Sequence, residues 1–251
     1  MSLYKYASPA TFYPLAGRMV PWFAALAVVF GAIGLYLGLI VAPQDFQQGE
    51  VYRIIFIHVP AAWMAMFIYL VMAMYGVMAL TFNTRLSAMM MEALAPTGAM
   101  FTALALWTGA LWGKPTWGTY WAWDARMTST LILLFLYIGY IALVNAIEDK
   151  KRADKAGALL VIVGSVNVPI IYFSVKWWNT LHQGASVSVT ASPSMAAIML
   201  WAMLVMAIAC WMYAIAVSLV RVRAIIVERE GRRGPGWVAA GASTANRMAG
   251  S

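Results

Sequence analysis

Six apolar runs, at residues 20–42, 57–82, 93–112, 127–147, 157–175 and 195–220, constrain this chain more than any other feature. A helix needs about 20 residues, at 1.5 Å each, to cross a hydrocarbon core about 30 Å thick. Inside lipid each backbone N–H and C=O must find its partner within the segment, so runs of this length fold as helices. The predicted fold is an all-α integral membrane protein: a bundle of six transmembrane helices with a Trp-rich outer loop. Composition agrees, with 10% charged residues against about 25% in an average soluble domain. The first run is too long for a signal-peptide core and no small-residue cleavage site follows it, so it reads as a retained span. The fifth run is the shortest and carries Asn167 and Pro169, which predicts a kink. Residues 1–230 read as a single six-helix transmembrane domain with no internal repeat. Residues 231–251, rich in Gly, Ala and Ser, are expected to form a disordered cytoplasmic tail.

Loop charges orient the bundle. Of the 17 Lys and Arg residues, Arg53, Lys114, Arg126 and Lys176 fall on one side. The rest lie in the N-terminus, the 83–92 and 148–156 loops and the C-terminal tail. The positive-inside rule puts that richer side, with both termini, in the cytoplasm. The net charge of +8 is thereby explained by basic loops at a membrane, and no nucleic-acid partner is implied. The single cysteine, Cys210, lies in an apolar run and reads as a packing residue. It permits no intramolecular disulfide, no CxxC redox pair and no covalent haem site of the CxxCH type.

The outer segments are then about 43–56, 113–126 and 176–194, and the chain's two histidines both belong to this face. His58 lies just inside the second span and His182 within the third outer segment. Alone, either reads as a polar tip hydrogen-bonded at the interface. Together, beside aromatics, they suit two neutral imidazoles ligating one iron from opposite faces of a porphyrin. Structural zinc is disfavoured, because four ligands are usual and no cysteine lies outside the membrane. The loop between them crowds Trp112, Trp117, Trp121 and Trp123 into twelve residues. An aromatic belt explains Trp112 at a span end. For the others, a short interfacial helix would set Trp117 over Trp121 and Tyr120 over Trp123; Gly118 and the aromatics do not favour helix strongly, and either a helix or an irregular loop offers an apolar shelf. Asp124 and Arg126 close the loop. They are either an ion pair and helix cap, or, with Arg53 or Lys114 assisting Arg126, partners for ligand carboxylates.

Residues Trp117-Gly118-Thr119-Tyr120-Trp121-Ala122-Trp123-Asp124-Ala125-Arg126 resemble the tryptophan-rich WWD signature of haem-handling proteins. Trp177-Trp178-Asn179-Thr180-Leu181-His182-Gln183-Gly184 is similar to a second signature, that of the heme exporter protein C (CcmC) family. The likeness covers about residues 15–225. Tyr120 departs from the motif, which often has tryptophan there, and keeps an aromatic face. The resemblance implies a non-enzymatic protein of the bacterial inner membrane. Such a protein binds haem b at the periplasmic face during cytochrome c maturation and delivers it to a membrane-anchored haem chaperone. It implies association with ATP-binding cassette transporter subunits and a small membrane subunit. It implies His58 and His182 as axial ligands of the iron, with Trp117, Trp121, Trp123, Asp124, Arg126 and Arg53 around the haem.

Two other readings carry different expectations. A haem or small-molecule transporter needs a polar path, and the spans offer only Asn145, Ser165, Asn167 and Ser218, without an acid or base at mid-depth. A haem-linked membrane oxidoreductase usually buries its histidines within helices, whereas these sit near the surface.

Overall fold

Caps and turn residues set the ends of the helices. The computed structural model describes residues 8–178, 180–182 and 195–231. The Ser8 hydroxyl accepts from the Thr11 N–H and Pro9 takes a first-turn position where no N–H is needed, which starts α1, Pro9–Tyr36. A wider turn, Leu37–Val41, extends it, and a short tight helix, Glu50–Ile54, leads into α2, Ile55–Phe82. Asn83, left-handed at φ 51°, stops α2. Helix α3 is Arg85–Trp117, and Asp124 caps α4, Ala125–Ala146. Asp149 caps α5, Lys150–Gly164, which is followed by α6, Asn167–Trp177, and α7, Ala197–Gly231.

Among the described residues, six helical stretches are long and apolar enough to cross a membrane, and no strand occurs. This is the six-helix all-α membrane architecture that the sequence predicts. Several spans run beyond the predicted bounds: the first begins at Pro9 rather than 20, the second at Glu50 rather than 57, the sixth ends at Gly231 rather than 220, and the third covers Arg85–Trp117, 33 residues against 93–112. It is the most enclosed of the six, so packing against neighbours carries helix into its less apolar ends. The fifth is one span, Lys150–Trp177, kinked as the sequence predicts, at Ser165–Val166 between α5 and α6, where both residues keep right-handed helical dihedrals and their N–H groups bond back into the preceding turn. There the Ser165 hydroxyl turns back to the Ile162 carbonyl (2.7 Å), and Asn167 Nδ2 donates to the Ser129 carbonyl on α4 (2.9 Å). Pro169 falls in the first turn of α6, where its missing N–H costs nothing. Of residues 231–251, expected as a tail, Gly231 ends α7 and 232–251 lie outside the described residues.

Helices α2 and α3 pair along their length, with α4, α5 and α7 packed around them, and α1 lies outside against α7. Tyr69 and Tyr137 meet edge to face at the core, 5.0 Å between centroids, and the Tyr137 hydroxyl donates to the Ala65 carbonyl (2.8 Å). A Cβ on Gly98 would lie 2.2 Å from the Tyr137 ring. Glycine there lets α3 and α4 approach, as small residues do at membrane helix contacts. At the end where α2 turns into α3 and α4 into α5, so that most of the expected 83–92 and 148–156 loops is helix, Arg229 joins Glu92 of α3 to Asp154 of α5, and Arg85 pairs with Glu230. The opposite end gathers the candidate site, because α2 and α4 begin there and α3 and α6 finish there.

Candidate functional site

His58 stands in the first turns of α2, facing α3. Its Nδ1 lies 3.0 Å from Thr108 Oγ1. The Thr108 hydroxyl gives its single proton to the Leu104 carbonyl, 2.7 Å away and one helical turn back. It therefore accepts from the imidazole, so His58 carries its proton on Nδ1 and leaves the Nε2 lone pair uncommitted. Trp112, one turn further along α3, sets its ring edge to face with His58 at 5.6 Å and anchors its own N–H on Gln48 Oε1 (2.7 Å). Gly109 lies between them, and a Cβ there would stand 3.0 Å from His58 Cε1. Only glycine gives the ring that space.

His182 comes to the same place from the far end of α6. Its Nδ1 is 3.3 Å from Asp124 Oδ2. A carboxylate only accepts, so Nδ1 again bears the proton and Nε2 is left free. Asp124 also holds the backbone on both sides of the site. Its Oδ1 accepts from the Met127 N–H (2.8 Å) and caps α4, while Oδ2 takes the Leu181 N–H (3.2 Å). One carboxylate thus fixes the start of α4, the backbone beside His182 and the tautomer of its ring. Burial pushes the His182 pKa below its ordinary value; Arg126 adds to that push, and Asp124 opposes it without overcoming it. The ring is neutral, as a metal ligand must be.

Both imidazoles line one cleft, together with Arg126, Gly109 and Met66. Among the described residues the Arg126 guanidinium makes no hydrogen bond and no ion pair. A cation of this kind beside two neutral rings suits a ligand carboxylate. The cleft measures about 40 Å³, where a water needs about 10–15 Å³. It is a narrow slot that must widen to take a larger guest.

The Trp-rich loop is not a short helix. Trp117 belongs to the last turn of α3, and Gly118 at φ 79° ends that helix with its N–H on the Lys114 carbonyl (3.0 Å). Residues 119–124 run on without helix. The Trp117 ring packs on His182 at 4.9 Å. Trp121 is half-buried, and its indole N–H has no acceptor among the described residues. Trp123 packs edge to face on Trp121 at 5.4 Å and is 77% exposed; none of Trp117, Trp121 and Trp123 lines the cleft itself.

Arg53 does not join this group. It pairs with Glu50 three residues earlier and donates Nη1 to the Gly38 carbonyl (2.8 Å), fastening the end of the first span to the start of the second. Lys114 is likewise engaged, with the Gly118 carbonyl and the Tyr120 ring. Thr108, Gly109 and the contact of Trp112 with His58 are additions that sequence reasoning missed. The available signal was a threonine, a glycine and a tryptophan spaced to share one face of a central helix. Asn179, Gln183 and Gly184 of the second signature lie outside the described residues.

Among the described residues no three His, Cys, Asp or Glu side chains cluster as a bare metal ion would need. What the cleft offers instead is two imidazoles, each with Nδ1 engaged and Nε2 uncommitted. The family model described as heme exporter protein C matches residues 2–235. The chain is 47% identical over 232 residues to heme exporter protein C of Bradyrhizobium diazoefficiens, covering 92% of this chain and 88% of that one. It is 43% identical over 233 residues to heme exporter protein C of Escherichia coli, covering 92% and 94%. To that of Haemophilus influenzae it is 44% identical over 242 residues, covering 96% and 98%.

Proposed function

The chain belongs to the heme exporter protein C family, and from that premise we propose that it holds haem at the periplasmic face of the bacterial inner membrane and hands it on for cytochrome c maturation. The observation that carries the reading is the pair of imidazoles in one cleft, each fixed through Nδ1 with Nε2 free. His58 and His182 are the axial ligands of the iron of haem b. Thr108 and Asp124 hold them in the ligating tautomer. Arg126 takes a propionate, and Trp117 and Trp121 supply apolar surface beside the cleft. Trp123, exposed, meets the recipient.

The guest is cargo, and the protein's part is orientation and release rather than catalysis. Two ligands from separate parts of the chain suit that part, because either can let go while the six helices stay packed. The recipient is a membrane-anchored haem chaperone. ATP-binding cassette subunits and a small membrane subunit complete the system, and both termini are cytoplasmic. Residues 1–230 form the haem-handling domain.

The test is the visible spectrum of gently purified protein beside His58→Ala and His182→Ala. The expected result is a six-coordinate, low-spin haem in the unaltered protein, with a changed spectrum and weaker retention in each variant. Normal haem delivery to the chaperone by both variants would end the bis-histidine reading.

A further inference from the structure

A second cavity opens beside the cleft, on the lipid-facing side of the bundle. It is an apolar groove of about 740 Å³ between α2, α6 and α7. That size falls in the range of about 300–1,000 Å³ usual for small-molecule sites. Aromatic side chains dominate it: Trp63 and Phe67 from α2, Phe173 from α6, Trp201 and Trp211 from α7. Phe67 and Trp211 stack nearly parallel, 5.2 Å apart at 21°. Flat, apolar walls suit a flat, apolar guest.

Its depth is set by three helices independently. Trp63 lies less than two turns below His58, which is near the start of α2. Trp201 is about one turn below the outer end of α7, and Phe173 about one turn below that of α6. At 1.5 Å per residue the groove begins about 6 Å below the outer helix ends and reaches about 20 Å, so it lies mostly in the outer leaflet of a core about 30 Å thick.

The groove and the histidine cleft share one wall. Met66 lines both, from the α2 side. On the α6 side, Val168 faces the groove and Ile171, one turn on, faces the cleft. Methionine has three rotatable bonds and moves aside readily. Helix α6 is short, 11 residues, set off from α5 by the kink at Ser165–Val166 and tied to α4 through Asn167. The two sides of the wall are thus a flexible side chain and a short helix that follows a kink. The cleft is too small for a porphyrin as it stands, and this is the side on which it can widen.

We propose that the groove between α2, α6 and α7 is where a porphyrin dissolved in the outer leaflet docks, and that it passes Met66 from there into the histidine cleft. This rests on the haem reading above. The carboxylate edge of such a guest stays near the interface, on the side where Arg126 starts α4, while the macrocycle rides in the groove. No charged side chain lines the groove, so the ring meets none on the way.

The experiment uses the full chain in phospholipid vesicles whose bilayer already contains haemin, and follows growth of the low-spin spectrum with time. Ala207→Trp fills the groove without lining the cleft. It is expected to slow loading at least tenfold while reaching the same final spectrum in detergent. Met66→Ala removes the shared wall and is expected to speed loading several-fold. Equal rates in all three proteins would overturn the proposal and leave the haem site standing. If the unaltered protein develops no low-spin spectrum from vesicles or in detergent, the haem reading itself fails. If Ala207→Trp does not fold, a rate for Met66→Ala no faster than that of the unaltered protein is by itself the refuting result.

Discussion

Asp124 does two jobs with one carboxylate, and a single substitution separates them. Asp124→Asn keeps an oxygen for the Met127 N–H, and asparagine caps helices about as well as aspartate. The start of α4 should therefore lose almost nothing. The amide's other end is an NH2, which now faces two donors, the Leu181 N–H and His182 Nδ1–H. His182 can relieve that clash by moving its proton to Nε2, so that Nδ1 accepts. That tautomer cannot ligate, because the proton sits on the coordinating nitrogen. Loss of an outer partner of a ligating histidine costs about 10–100-fold in affinity, or about 1.4–2.8 kcal/mol at 1.4 kcal/mol per tenfold. Asp124→Ala should lose the same affinity and in addition about 1 kcal/mol of stability from the missing cap. The assay is a haem titration followed in the visible region, paired with a thermal melt. A haem affinity for Asp124→Asn equal to that of the unaltered protein would refute the reasoning and leave Asp124 as a cap alone.

Thr108→Val keeps the shape of the side chain and removes the acceptor for His58 Nδ1–H; haem affinity should fall about tenfold, and Thr108→Ser should restore most of it in the same titration. Gly109→Ala puts a methyl 3.0 Å from His58 Cε1, so the ring must shift and the low-spin spectrum should give way to a five-coordinate one with little change in melting temperature. Arg229→Ala leaves Glu92 and Asp154 without their shared partner, at the end of the bundle away from the histidines. It should cost about 2–3 kcal/mol in a melt while the haem spectrum, set at the opposite end, stays the same.

What the sequence made legible was the meeting of His58, His182, Asp124 and Arg126, because a charge count and a span count are enough to put all four at one face. The rest depends on facing. Thr108 and Gly109 lie about 50 residues from His58 in the chain, and nothing in a single sequence says which face of α3 turns toward α2. Trp112 was readable as an interfacial anchor, and it is one, through Gln48. That the same ring also packs on His58 is a property of the α2–α3 pair. Arg53 misleads for the opposite reason: its address is right, but Glu50, three residues earlier and on the same face of a tight helix, has already taken its charge. The kink in the fifth span was legible from Asn167 and Pro169, but the partner that Asn167 takes across the bundle was not. Asn167 docks on the Ser129 carbonyl of α4, and α6 packs mainly against α4, with a smaller contact to α2. The part of the protein that brings His182 to the cleft is then also the part best able to open it.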